Sequence, residues 1–200
     1  MLIGPVKYEP VFDASGFHSG GETVDEFGIW LMNADEKPWQ SDKFAGFFLA
    51  VVVDCDKARK TNRVAGYVVA TAVVLDELDK SVPARDSKTD AIKTPMAVEI
   101  VLVGVDKRHQ KRKIARLLMA SVIEQAIEAH KSEADFYGVV LYAEPEKSDY
   151  YKKLGFEERQ IAHNNLFLPV ERVPELRVFP HRPKTAWIKN VPPQEWRAEC

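Results

Sequence analysis

Apolar residues recur every three or four positions over two stretches of the chain and run together or alternate over several others. This pattern lays out an alternation of helices and strands. Thr23 and Glu26 have the spacing of a capping box, and Phe27, Trp30, Leu31 and Ala34 follow at i, i+3, i+4 and i+7, which predicts a first helix. Phe47 to Val53 and Val64 to Leu75 are β-branched and apolar, and read as two antiparallel strands joined by the charged link Asp54 to Asn62. Leu78 to Thr94 is polar and rich in Asp, Ser, Lys and Thr between Pro83 and Pro95, so an exposed loop is expected there. Met96 to Val105 resumes as a buried strand. From about Gln110 to His130, Ile114, Leu117, Leu118 and Val122 give a long helix with one core face. Phe136 to Tyr142 reads as a strand, Lys147 to Lys153 as a short helix closed by Gly155 in the left-handed conformation, and Phe156 resumes extended chain. Leu166 to Leu168 and Leu176 to Phe179 are candidate final strands. The tail from Pro169 holds half of the twelve prolines, which forbids regular structure around Trp187 and Trp196, so residues 1–168 are expected to form the domain and 169–200 a Pro-rich extension.

Two hundred residues with 46% hydrophobic content suffice for one domain with a real core. Against 30 Asp plus Glu, the 28 Lys plus Arg leave a formal charge of −2, which argues against coating of nucleic acid by overall charge but permits a local basic patch. Cys55 and Cys200 stand far apart with no metal-ligand or redox spacing, so two inert reduced thiols and a cytoplasmic setting are expected. The chain does not open on a basic start followed by an apolar leader. No run approaches the roughly 18 apolar residues that span a bilayer, and a membrane role is not expected. The five histidines have no metal or triad spacing, and His109 reads as a solvated residue, so no metal is expected.

The chemistry concentrates where residues 98–116 pass from an apolar strand through a basic turn into an amphipathic helix. A helix N-terminus presents unpaired N–H groups and the positive end of the macrodipole, and Lys107, Arg108, Lys111 and Arg112 flank it here, so the ligand expected is anionic. Gly104 interrupts the strand and marks a bulge or a close approach, either to the protein's own packing or to a ligand. A strand that splays beside a phosphate cradle could pair with an extended amide-bearing ligand, and phosphate plus amides suggests coenzyme A. The plainer alternative is a solvated helix entry with a glycine that relieves packing.

Val105-Asp106, then Gln110 to Ala115, then Tyr150-Tyr151-Lys152-Lys153-Leu154-Gly155-Phe156 resemble the acyl-CoA motif and the later Tyr-containing segment of the GNAT N-acetyltransferase superfamily. The resemblance implies an α+β, three-layer GNAT fold, with a mixed, mostly antiparallel central sheet whose middle strands splay, flanked by helices. It implies acetyl-CoA as the acetyl donor, held by Val103, Gly104, Val105, Gln110, Lys111, Arg112, Lys113, Ile114, Ala115 and Arg116. Tyr151 matches the family's general acid, Glu99 resembles the glutamate that many relatives use as a base through water, and the Val105 N–H is the implied oxyanion donor. Two departures stand out: Lys113 occupies the inner glycine position of the phosphate turn, and Glu144 replaces a usual asparagine.

Phe17-His18-Ser19-Gly20-Gly21-Glu22-Thr23-Val24-Asp25-Glu26-Phe27 and Asn165-Leu166-Phe167-Leu168-Pro169 are further similar to segments of GNAT toxins from bacterial toxin–antitoxin pairs. That narrower resemblance implies acetylation of the α-amine of aminoacyl-tRNA and pairing with a ribbon-helix-helix antitoxin, and it admits a homodimer. Two other readings stay open at this point: an N-acetyltransferase acting on a small amine or a protein, and a degenerate GNAT fold serving as a CoA-binding or interaction module.

Overall fold

The structure, a computed structural model, describes residues 2–7, 12–33, 48–56, 61–75, 95–132, 136–159 and 165–175. These form β1 (Leu2–Lys7), α1 (Glu22–Asn33), β2 (Phe48–Asp56), β3 (Thr61–Val74), β4 (Met96–Val105), α2 (Ile114–Ser132), β5 (Phe136–Tyr142), α3 (Ser148–Lys153), β6 (Glu157–Glu158) and β7 (Asn165–Pro169). Short 3₁₀ turns occupy Lys107–His109, Pro145–Lys147 and Val170–Glu175. The strands make one sheet in the order β1-β2-β3-β4-β5-β7-β6. Strand β1 runs antiparallel to β2, and β7 antiparallel to both β5 and β6, while β4 and β5 are parallel. This is the mixed α+β sheet with helices that the pattern and the resemblance implied. The expected loop Leu78–Thr94, the strand Leu176–Phe179 and the tryptophans of the tail lie outside the described residues. No helix among the described residues is long and apolar enough to cross a membrane.

Two compact units divide the chain, one of residues 1–69, 102–121 and 180–200, the other of residues 70–101 and 122–179. In the first, β2 is buried from Leu49 to Val53 without alternation, as a strand covered on both faces must be. Its core gathers Phe12, Phe17, Leu49, Val51, Val53, Val64, Tyr67 and Val69, with Val24, Ile29 and Leu102 packed against them. Tyr67 is fully buried, and a Cβ at Gly28 or at Gly104 would fall 2.5 Å from its ring. The ring meets Phe17 edge to face at 5.2 Å, and its hydroxyl donates to the Val24 carbonyl. Position 104 has no room for a side chain because Tyr67, Val24 and Phe17 fill that space. Strand β1, which contains Gly4-Pro5, has no counterpart among the elements the apolar pattern predicts. As the edge strand it tolerates a proline, and its register shifts between Ile3 and Val6. Cys55 is buried and disulfide-bonded, which corrects the expectation of a reduced thiol there.

In the second unit β4 pairs with β5 from Met96↔Phe136 to Ile100↔Leu141, and β5 pairs with β7 from Gly138↔Pro169 to Tyr142↔Asn165. Ala97, Val140 and Phe167 pack together with Leu75 in the core of this unit. Pro169, where the extension was expected to begin, ends β7, and Val170 after it is buried. Helix α3 closes as the sequence predicts. Gly155 has φ +98°, its N–H donates to the Lys152 carbonyl at 3.0 Å, and the Phe156 N–H donates to the Tyr151 carbonyl at 3.2 Å, a Schellman closure.

Candidate functional site

The turn between β4 and α2 is built on a buried carboxylate. Asp106 is 1% exposed and accepts from the Arg108 N–H at 2.9 Å, from Arg108 Nε at 2.7 Å and Nη2 at 2.8 Å, and from the His18 N–H at 3.2 Å. Burial pushes its pKa up, but the Arg108 guanidinium and N–H and the His18 N–H outweigh it and hold the group at about 2. Arg108 also donates to the Gly16 carbonyl at 3.1 Å, so its guanidinium, though half exposed, is tied to Asp106 and Gly16 rather than free for a phosphate. His109, expected to be solvated, is buried at 7% exposure, with Nε2 3.1 Å from Asp54 Oδ2. The sequence could not place Asp54 beside it, because 55 positions separate the pair.

Beyond the 3₁₀ turn the backbone takes an unusual course. Lys111 and Lys113 both have φ +63°, with one residue between them, and helix α2 starts at Ile114, four residues later than the apolar pattern suggests. Left-handed residues set at short intervals swing neighbouring N–H groups to one side and make an anion-binding concavity. The Lys113 carbonyl accepts the first helical bond from the Leu117 N–H at 3.1 Å, so the free N–H groups of Ile114, Ala115 and Arg116 follow directly. Lys113 therefore adopts the glycine-type conformation that its position in the motif implies, with its side chain in solvent. Lys111, Arg112 and Lys113 are exposed and make no ion pair with another described residue. Ile114 contributes backbone only, since its side chain is core. Gln110 donates to the Ser19 carbonyl at 2.8 Å and the Val105 carbonyl at 3.2 Å, and so clamps the turn to the loop before α1.

That loop is a feature the sequence reading missed. The capping box expected at Thr23 and Glu26 is not the one formed: α1 starts at Glu22, and Asp25 folds back to accept from the Ser19 N–H at 2.6 Å and the Gly20 N–H at 3.3 Å. His18 Nδ1 lies 2.7 Å from Asp25 Oδ2, and Lys107 Nζ donates to His18 Nε2 at 3.1 Å. The Lys107 N–H donates to the His18 carbonyl at 2.8 Å. Only the weak signal Ser-Gly-Gly before an acidic helix start points to this in sequence.

Strand β4 keeps an open edge. Its register with β5 ends at Ile100↔Leu141, and no pairing with β5 extends to Val101, Leu102, Val103, Gly104 or Val105. Apart from the Val105 carbonyl, which Gln110 takes, backbone groups on that edge that make no ladder bond to β5 among the described residues are available for strand-like pairing with an amide-bearing chain. Of the expected ligand residues, Val103, Gly104 and Val105 lie on this edge, and the cradle residues 110–116 follow in the turn and helix. The arrangement fits a diphosphate followed by pantetheine amides.

The expected catalytic residues lie in the second unit. Tyr151, half-buried on α3, packs edge to face on Phe156 at 6.1 Å and Tyr150 at 5.3 Å. Burial first, then Tyr150 and the charge of Glu144, push its pKa up from the ordinary phenol value. Glu144 precedes the 3₁₀ turn, where its carbonyl accepts from the N–H groups of Lys147 at 2.8 Å and Ser148 at 3.1 Å, and its carboxylate pairs with the Lys147 ammonium. Glu99 is half-buried on β4 opposite Val140. Among the described residues no cluster of His, Cys, Asp and Glu is disposed to hold a metal ion.

Residues 86–165, from before β4 to the first residue of β7, match the family model described as an acetyltransferase (GNAT) domain. The mixed sheet with its flanking helices is a GNAT fold, and the family match falls on residues 86–165 of it. Among solved structures it is similar to a mutant of KacT, with 18% identity and a TM-score of 0.67 over 88% of this chain and 97% of that one. It is similar also to AtaT complexed with acetyl-methionyl-tRNAfMet, with 17% identity and a TM-score of 0.66 over 88% and 97% of the two chains. AtaTR bound with AcCoA gives 15% identity and a TM-score of 0.65 over 88% and 96%. No curated protein matches the sequence.

Proposed function

We propose that this chain is an acetyl-CoA-dependent N-acetyltransferase that acts by direct attack of a primary amine on the thioester, and that its acceptor is the α-amine of aminoacyl-tRNA, as in a bacterial toxin. The observation that carries the reading is the turn at residues 110–116. Lys113 stands where the family has glycine, yet it holds φ +63°, the conformation a glycine would supply, and leaves the first N–H groups of α2 free. A module that had lost cofactor binding would have no physical reason to keep two left-handed lysines. The fold likeness to KacT and AtaT supports the toxin branch.

The division of labour follows from each group's chemistry. Lys111, Arg112, Lys113 and the N–H groups at the start of α2 hold the diphosphate, and Arg116 adds charge one turn on. The open β4 edge at Val103 and Val105 pairs with the pantetheine arm, and the Val105 N–H stabilises the oxyanion. Tyr151, kept protonated by its surroundings, donates to the departing thiolate. Glu99 takes the proton that the ammonium loses before the neutral amine attacks, a modest task because an α-amine has a reference pKa of about 8. We assign the protein to the cytoplasm, where charged tRNA is found, and to a complex with a ribbon-helix-helix antitoxin.

Calorimetry with acetyl-CoA tests cofactor binding, and no heat at millimolar concentration would end the enzyme reading. Incubation with labelled acetyl-CoA and total tRNA tests the acceptor. Label on intact charged tRNA is expected; label only on small amines or protein would overturn the toxin reading and leave the acetyltransferase.

A further inference from the structure

The second unit carries an exposed apolar patch that the roles above do not use. Opposed residues of paired strands point to the same face of a sheet, so the registers Glu99↔Val140 and Val140↔Phe167 put Glu99, Val140 and Phe167 in one row. The next row on that face is Val101, Tyr142 and Asn165, with Tyr142 opposite Asn165 and Val101 reached by continuing β4 two residues past Glu99. Val140 and Phe167 are buried, but one row on the exposure jumps to 40% for Val101 and 64% for Tyr142. The other face of the same strands, with Leu141 and Leu166, stays buried. Large apolar side chains left open at the point where β4 and β5 stop pairing mark a surface built for a ligand.

The occupant is specified by what borders the patch. Glu99, a carboxylate, precedes it on β4, and residues two apart on a strand are separated by about 7 Å. Asn165, opposite Tyr142 in the same row, keeps its Oδ1 buried and offers the patch no acceptor. The one charged border is thus Glu99, whose carboxylate attracts a cation at that end only, while Val101 and Tyr142 offer a charged group no partner. A primary ammonium at Glu99 therefore leaves its substituent reaching along the strand onto Val101 and the Tyr142 ring, a span that matches the amine-to-side-chain length of a hydrophobic amino acid. We infer that Val101 and Tyr142 form the acceptor's side-chain subsite and select amines borne on an apolar aminoacyl group over small or charged ones. The inference rests on the N-acetyltransferase reading and names its substrate class.

Amino-acid amides serve as probes, with acetyl-CoA saturating and the full chain used throughout. Leucinamide and phenylalaninamide are expected to exceed glycinamide and lysinamide in kcat/KM by roughly tenfold or more. Tyr142→Ala should raise KM for the apolar amides about tenfold while leaving glycinamide nearly unchanged, and Val101→Asn should act in the same direction. Tyr142 is exposed, so its truncation leaves the fold intact. Equal discrimination in wild type and both variants would overturn the subsite. Saturation-transfer NMR with phenylalaninamide reads binding without turnover: a signal lost in Tyr142→Ala supports the subsite, and a signal unaffected by it refutes it. Retained NMR contact with no turnover on any amine would tell against acetyl transfer alone.

Discussion

At the scale of single residues the turn and the tyrosine make the sharpest claims. Tyr151→Phe removes the proton donor without altering the cradle, so kcat should fall at least tenfold while acetyl-CoA affinity by calorimetry stays within about twofold; an unchanged rate would exclude the acid role. Glu144, which stands where the family usually has asparagine, is one of the groups that raise the pKa of the phenol. Glu144→Gln should lower the Tyr151 pKa, read by NMR of ¹³C-labelled tyrosine, and a pKa that stays put or rises contradicts this. Lys113→Gly removes the strain of a side chain in the left-handed region, worth about 1 kcal/mol, and should raise the denaturation midpoint. It also deletes an exposed charge, so acetyl-CoA binding should weaken less than about tenfold and become less sensitive to salt.

At the scale of elements, β4 is held by what lies against it on one side and left open on the other. Gly104 permits the Tyr67 ring to rest on the strand, and Gly104→Ala should cost about 1–3 kcal/mol by overpacking, measured by urea unfolding. A neutral effect would show that Tyr67 can move aside. The loop before α1 and the turn after β4 are likewise stitched into one piece by Asp106, Gln110, Lys107 and His18. The motif residues at 110–115 were legible in sequence because their types are characteristic. Their supports were not, because His18 and Asp106 meet across 88 positions.

For the whole molecule, acid stability follows from carboxylates that the fold holds ionised. Asp106 titrates at about 2 in the folded chain against an ordinary aspartate value of 3.8, so the unfolded state binds more protons as pH is lowered. Its contribution, about 2 kcal/mol, is present in full only above the ordinary aspartate range and is lost as pH falls through about 2. Asp13 and Asp25, also lowered, add in the same direction. Unfolding free energy measured by denaturant should therefore drop between about pH 4 and pH 2, and Asp106→Asn should be less stable at neutral pH but less sensitive to acid across that interval. A variant with the wild-type slope would dissociate the effect from Asp106.

Periodicity by itself determined the order of most helices and strands, since burying one face demands a fixed spacing of apolar residues whichever partner covers it. The Gly155 closure of α3 was equally local, because a helix that ends in this way needs a left-handed residue, which glycine supplies without strain. Tertiary structure alone decided the edge strand across Gly4-Pro5, the burial of His109 against Asp54, the commitment of Arg108 to Asp106, and the late start of α2. It also decided which of the basic residues in the turn remain available to an anion. Each of these depends on contacts between residues far apart in the chain, and a pattern of neighbours carries no record of what packs across such distances.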